Sequence, residues 1–480
     1  MAEAALSSAE EALENQRLGP LQFRVAALCA LVQICDGYDI NSVGVTVPSL
    51  THAWNLSGPA FTQAFLWSSI GIMVGALSAG PIGDRIGRKP LLLASLTIFG
   101  LASLCSAFAD ASLTVSTIGG VWLGLYKIIA PVLHLLGLQT SAPPPEIASL
   151  SGLRFFTGLG IGGAFPGAAT LTGDYAPRRL RATMIMATFT GAPIGGFICG
   201  QLAGVLLPSF GWPSVYIIGG VVPLLMVVAL ALWLPESPRF LAAKSKLSAR
   251  EAALLQRLDV RPGQSAAALD LASGNPIKML FGQGYALQTV LLWVIFFCSL
   301  MNLFLFAYWL PEVLHLGGMT PAEAARASSY RDLGAICAVL YLGLLIDKHG
   351  PERALALHYA AGIVFIGAIA LFAMPYALLA AVIFFSGMTI IGSQTGANAT
   401  AGALYPARMR TSGIGWALGI GRLGGIAAPV LGGYLLSLGM HPPQIFLSAC
   451  GFALIAAIAT ALLVFRGHPA AVLTAQEAAQ

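Results

Sequence analysis

Apolar residues run through this chain in stretches of about twenty, the length a helix needs to cross roughly 30 Å of hydrocarbon. Polar clusters separate the stretches. The pattern predicts membrane-spanning helices near 22–48, 59–82, 90–109, 150–172, 182–207, 213–234, 286–310, 324–346, 354–374, 376–402, 412–437 and 443–465. The expected fold is therefore an all-α integral membrane protein of twelve transmembrane helices. The longest polar break, 235–285, gathers charges around Pro262, Gly263, Ser273 and Gly274 and reads as a linker. The expected organisation is an N-terminal arm (1–20), a six-helix half (21–234), the linker (235–285), a second six-helix half (286–466) and a tail (467–480).

Loop sequences repeat across the linker. Gly83-Asp84-Arg85-Ile86-Gly87-Arg88-Lys89, after the second span, is echoed by Ile346-Asp347-Lys348-His349-Gly350-Pro351-Glu352-Arg353 after the eighth. Pro177 with Arg181 is echoed by Pro406 with Arg410. The two halves are thus expected to be pseudo-symmetric, as in a parallel-repeat transporter. Asp84 to Pro177 is 93 residues and Asp347 to Pro406 is 59, so the first half holds 34 extra residues, at about 111–148. Lys127 and His134 interrupt the apolar part of this insertion and Pro143-Pro144-Pro145 ends it. It is expected to form an amphipathic or re-entrant helix on the periplasmic face.

Composition agrees with the pattern. The chain is 57% hydrophobic and 9% charged, against roughly 25% charge in a soluble domain. The net charge of +5 could suggest nucleic acid, but the basic residues sit in short loops between apolar runs. All but five of the 25 lysines and arginines (Lys127, Arg154, Arg326, Arg331 and Arg422) fall on the side that holds both termini. By the positive-inside rule that side is cytoplasmic. Seven cysteines lie scattered in apolar runs with no Cys-x-x-Cys pair, and the seven histidines lack ligand spacing, so neither a metal nor a cofactor is expected. The segment before Leu21 carries Glu3, Glu10, Glu11 and Glu14 and no basic n-region, so the first apolar run is expected to stay in the mature protein.

The loop Gly80 to Lys89 resembles the signature between spans two and three of the major facilitator superfamily. Within that superfamily, three further stretches are similar to the aromatic acid:proton symporters. They are Asp36-Gly37-Tyr38-Asp39 with Val47-Pro48-Ser49-Leu50, Arg154 through Gly163 to Pro166, and Gly415-Trp416 to Arg422. Gly167 and Asp174 depart from that family's usual Asn and Glu, and the insertion is foreign to its pattern. Pro235-Glu236-Ser237-Pro238-Arg239 also occurs in sugar porters, but their other motifs are missing. Gly158-x-Gly160-x-x-Gly163 matches a dinucleotide-binding pattern formally, yet it lies in an apolar run with no preceding strand and reads as small-residue helix packing.

Charged residues inside spans are costly and mark function by default. Asp36 and Asp39 share a helical face roughly 21 and 25 Å along the first span at 1.5 Å per residue. A brace between helices is one reading of the pair. The resemblance implies proton coupling, with Asp39 narrowly favoured over Asp36. Arg154 and Arg422 offer guanidinium forks for a substrate carboxylate, and either could instead pair permanently with an Asp. Arg331, beside Asp332, adds the hypothesis of a substrate with two acidic groups. Tyr38, Phe155, Tyr308, Trp309 and Trp416 could wall a ring pocket, with Asn41, Asn302, Gln394 and Asn398 as polar contacts. Asp84, Arg85, Arg88, Asp174, Arg181, Asp347 and Arg410 are expected to gate conformational change, Asp84 by holding a helix N-terminus or a nearby Arg in one state.

The expected function is a proton-coupled importer of an aromatic carboxylic acid, such as a hydroxybenzoate, protocatechuate or vanillate, working by alternating access. A sugar or other organic-anion porter and a drug exporter are the alternatives, and no enzymatic chemistry is expected. The expected setting is a bacterial inner membrane, with the bilayer, the substrate and protons as partners, no nucleic acid, and a monomeric chain.

Overall fold

The computed structural model describes residues 18–135, 142–244, 247–258, 280–282, 285–405 and 407–466. Most of the expected arm, the tail and 259–279 of the linker lie outside the described residues. The described chain is helical and contains no strand among those residues. Its main helices are α1 (Pro20–Trp54), α2 (Thr62–Ile86), α3 (Arg88–Ser106), α4 (Gly120–Leu135), α5 (Pro145–Tyr175), α6 (Arg181–Phe189), α7 (Gly191–Phe210) and α8 (Pro213–Trp233). They continue with α9 (Ala249–Arg257), α10 (Ala286–Leu316), α11 (Pro321–His349), α12 (Pro351–Leu371), α13 (Tyr376–Leu404), α14 (Ala407–Ser437) and α15 (Phe446–Arg466).

Each of the twelve expected spans coincides with one of these helices, α6 and α7 together forming the fifth. Ten segments among the described residues are long and apolar enough to cross a membrane. The two long helices outside that set are α1 and α5, which carry Asp36, Asp39 and Arg154. Their polar residues lower their apolar character because they point inward: Asp36, Asp39 and Arg154 are all 0% exposed. Large apolar side chains such as Leu232, Leu340 and Leu344 are instead exposed, which suits a protein whose solvent is lipid.

Local signals set the helix ends. Gly87 and Gly350 break α2 from α3 and α11 from α12 with φ of +102° and +80°, a left-handed region in which a side chain would be strained. Pro145, Pro213, Pro321 and Pro351 open their helices, where a missing N–H costs nothing. Thr320 and Glu323 close a capping box at the start of α11.

The chain divides into two compact units. One comprises residues 1–42, 63–199 and 206–269, and the other 43–62, 200–205 and 270–480. In the first, α3 packs on α5 and α8. In the second, α10 packs on α14 and α15, and α13 on α11 and α12.

Glycine contacts give the internal repeat a residue-level register. In the first unit Gly71 of α2 abuts the Phe155 carbonyl of α5, and Gly158 abuts that of Ser68. In the second, Gly334 of α11 abuts the Phe384 carbonyl of α13, and Gly387 abuts that of Arg331. Gly195 meets the Ile34 carbonyl as Gly424 meets that of Phe297. Residues of α1 to α3 therefore match residues 263 positions later (34 and 297, 68 and 331, 71 and 334), and residues from α5 onward match 229 positions later (155 and 384, 158 and 387, 195 and 424). The two offsets differ by the 34 residues of the insertion. Small residues at these points let two helices approach backbone to backbone.

The insertion is helical from Ser112 to Leu135, with a π-helical turn at Val115–Gly119. It packs on the start of α5: Gly152 lies against Ile118 and Trp122, and Gly119 against the Ser149 hydroxyl. Leu113, Val121 and Ile128 are exposed. Residues 136–141 lie outside the described residues.

Candidate functional site

Asp39 is the centre of a buried polar cluster in the first unit. Arg154 of α5 forms an ion pair with its Oδ2 through Nη2, while Nη1 lies 3.5 Å from Oδ1 and 3.4 Å from the Ser42 hydroxyl. Ser103 of α3 donates to Asp39 Oδ1 at 2.6 Å. The guanidinium also sits 5.7 Å from the centroid of the Tyr216 ring, within range of a cation–π interaction. Two neighbouring helices, α5 and α3, thus supply the donors that the buried carboxylate on α1 requires.

Asp36 is one turn earlier and differs in every respect but burial. Neither of its carboxyl oxygens has a hydrogen-bond partner among the described residues, and the same holds for the amide of Gln33 a further turn back. Tyr38 donates to the Val215 carbonyl at 3.1 Å, and the Asn41 amide donates to the Gly37 carbonyl at 2.9 Å. Phe155 joins Trp67 and Trp122 in an aromatic cluster, its centroid 6.1 and 5.5 Å from theirs. The insertion therefore reaches the residue next to Arg154.

The other candidates lie in the second unit. Arg331 donates to both carboxylate oxygens of Asp332, at 2.9 and 3.0 Å. Arg422 is largely buried on α14 and makes no ion pair among the described residues. Tyr308 and Trp309 are 0% exposed, with Trp309 Nε1 donating to the Pro429 carbonyl at 3.3 Å. Asn302 is 3% exposed. Its Oδ1 and the Oε1 of Gln394 lack partners among the described residues. Asn398 is exposed, and so is Trp416, which lies 6.1 Å from Trp293.

The loop residues form a separate network. Asp84, largely exposed, pairs with Arg88 at 2.7 Å. The acid that meets a helix N-terminus is instead Glu236, whose carboxylate accepts from the backbone N–H groups of Arg88 at 2.9 Å and Lys89 at 3.2 Å. Oriented N–H groups and the helix dipole favour an anion there. Asp174 accepts from the Ser237 hydroxyl at 2.6 Å and lies 3.6 Å from Arg239 Nε. Tyr175 donates to the Glu236 carbonyl, and Arg181 to that of Gly173. Arg85 and Asp347 are exposed at the ends of α2 and α11. Arg410 lies in the first turn of α14, and its side chain is outside the described residues.

Sequence reasoning missed Ser42, Ser103, Tyr216 and Trp122, and it missed Glu312, a carboxyl 1% exposed on α10. Glu312 carries a charge inside an apolar run, the same signal that marked Asp36. The serines and aromatics carry no such signal. Glu236 stood in a recognised motif whose mechanical use only the fold reveals.

Two six-helix repeats with buried charges at mid-helix define a multi-pass membrane protein of the transporter class. The Major Facilitator Superfamily model matches residues 29–390 and 292–479, and the chain belongs to that superfamily. It is a transporter-family protein and not an enzyme. A gallate transporter of Pseudomonas putida is 33% identical over 90% of each chain. A 4-hydroxybenzoate transporter of Pseudomonas aeruginosa is 31% identical over 95% of this chain and 94% of its own. A 3-(3-hydroxy-phenyl)propionate transporter of Escherichia coli is 29% identical over 92% and 93%. The solved structure of a D-xylose-proton symporter shares the fold, with a TM-score of 0.64 at 18% identity over 91% of this chain and 96% of that one.

Proposed function

We propose that the protein imports a hydroxylated aromatic carboxylate together with protons across a bacterial inner membrane, with both termini cytoplasmic. The observation that carries the reading is the contrast between two acids one turn apart. Asp39 is held by Arg154 and Ser103, whereas Asp36 is buried with no hydrogen-bond partner among the described residues. A carboxyl buried without a counter-charge costs least when it holds a proton, so Asp36 is suited to take one up on one side and release it on the other. Asp39 then serves to fix Arg154. The relatives named for gallate, 4-hydroxybenzoate and 3-(3-hydroxy-phenyl)propionate support the substrate class.

Arg422, a guanidinium with no ion pair among the described residues, is the cation for the substrate carboxylate. Arg331 is occupied by Asp332, so this reading keeps one acidic group on the substrate. The loop network around Glu236, Asp174 and Arg88 changes its bonds during the transport cycle.

Uptake of labelled 4-hydroxybenzoate and gallate by cells expressing the parent or Asp36→Asn tests the mechanism. A protonophore is expected to abolish accumulation by the parent. Asp36→Asn is expected to lose accumulation while still exchanging substrate across a membrane without a gradient. Accumulation that ignores both perturbations rejects proton coupling, and a parent that moves neither acid rejects the substrate class.

A further inference from the structure

The repeat register points to a second polar cluster, within the second unit. With the offset of 263 that holds for α1 to α3, Asp36 and Asp39 correspond to Ser299 and Asn302 on α10. The acids of the first unit are replaced by a hydroxyl and an amide. Those two residues line a cavity inside the second unit together with His358, Tyr359, Thr389 and Ser393, with room for about one water-sized group.

The hydrogen-bonding capacity of this cavity is specific. Asn302 Oδ1 is an acceptor with no partner among the described residues. Thr389 donates its hydroxyl hydrogen to the Ser386 carbonyl at 2.8 Å, so toward the cavity it can only accept. Ser299 and Tyr359 bond to each other. Whichever donates, the hydrogen of the other is left over. His358 is occupied on both sides, since Nδ1 donates to the Ala354 carbonyl at 2.8 Å and Nε2 accepts from Tyr341. To satisfy both the Asn302 acceptor and the leftover hydroxyl hydrogen, a ligand here must donate one hydrogen bond and accept another, while the Ser393 hydroxyl can serve in either sense. A carboxylate can only accept, and a cation would meet no anionic side chain among the lining residues. A hydroxyl group does both.

We propose that this cavity reads a ring hydroxyl of the substrate, through Asn302, Thr389 and the Ser299–Tyr359 pair. The inference rests on the hydroxylated aromatic-acid reading above and adds the residues that recognise the phenolic O–H. A water molecule has the same hydrogen-bonding chemistry, so the test must separate a substrate hydroxyl from a resident water.

The experiment compares uptake of 4-hydroxybenzoate with that of 4-methoxybenzoate and benzoate, which keep the ring and carboxylate but cannot donate from the ring. Asn302→Leu, Asn302→Asp and Thr389→Val are measured beside the parent at matched membrane levels. The parent is expected to favour the hydroxylated acid, and Asn302→Leu and Thr389→Val to lower that preference about five- to tenfold, the loss of one hydrogen bond. Asn302→Asp, which keeps an acceptor, is expected to retain more of the preference than Asn302→Leu. A preference unchanged in the variants overturns the proposal and assigns the cavity to water. Equal loss of all three acids in every variant overturns it too, as a purely structural cluster. A parent that transports none of the three acids is a different failure, that of the substrate class itself.

Discussion

A buried carboxylate held by a guanidinium and a hydroxyl, the guanidinium in turn backed by the Tyr216 ring, is stable only while every partner stays. Arg154→Ala leaves Asp39 buried and uncompensated, and the expected loss is about 3–5 kcal/mol, the usual result of removing one member of a buried pair. Adding Asp39→Asn removes the stranded charge and is expected to recover part of that loss. Thermal unfolding of the purified single and double variants in detergent checks both. A double variant no more stable than Arg154→Ala would dissolve the pairing argument. At this scale the acids and arginines were legible in the sequence because charge in an apolar run is conspicuous. Ser103 and Tyr216 were not, since serine and tyrosine are common in spans and only packing reveals which ones meet a charge.

Helices of this length hold their register through close backbone contacts, and the glycines allow a controlled comparison. A Cβ at Gly71 or Gly334 meets a backbone carbonyl of the neighbouring helix, whereas Gly80 and Gly343, also 263 residues apart, face open space. Gly71→Ala and Gly334→Ala are expected to cost about 1–3 kcal/mol each through overpacking. Gly80→Ala and Gly343→Ala are expected to be neutral or stabilising by up to about 1 kcal/mol, as alanine favours the helix. Melting temperatures of the four variants decide it, and a similar loss at all four positions would refute the close-contact reading. The helices themselves were readable from apolar run length, which tracks bilayer thickness. Their true ends were not, because α1 extends to Trp54 and α5 begins at Pro145, beyond the apolar stretches, where proline and capping chemistry take over.

For the whole molecule, the repeat was visible in two loop motifs, and the structure extends it to the contacts within each bundle. Because one offset changes to the other only between Gly87 and Phe155, a variant lacking 34 residues of the 111–148 region restores a single offset throughout. It is expected to insert in the membrane and elute as one monodisperse peak. Its melting temperature is expected to fall, since Trp122 no longer covers Phe155. Aggregation of the shortened chain would instead make the insertion part of the folding core.

The constancy of those offsets also carries a history. Once glycine and carbonyl were locked together in a duplicated bundle, adding or losing one residue within a helix would have turned every later contact away from its partner. Change was therefore confined to loops and to side chains at fixed stations. At the stations of Asp36 and Asp39 the two copies differ, one holding acids and the other serine and asparagine, so one repeated scaffold carries two different chemistries.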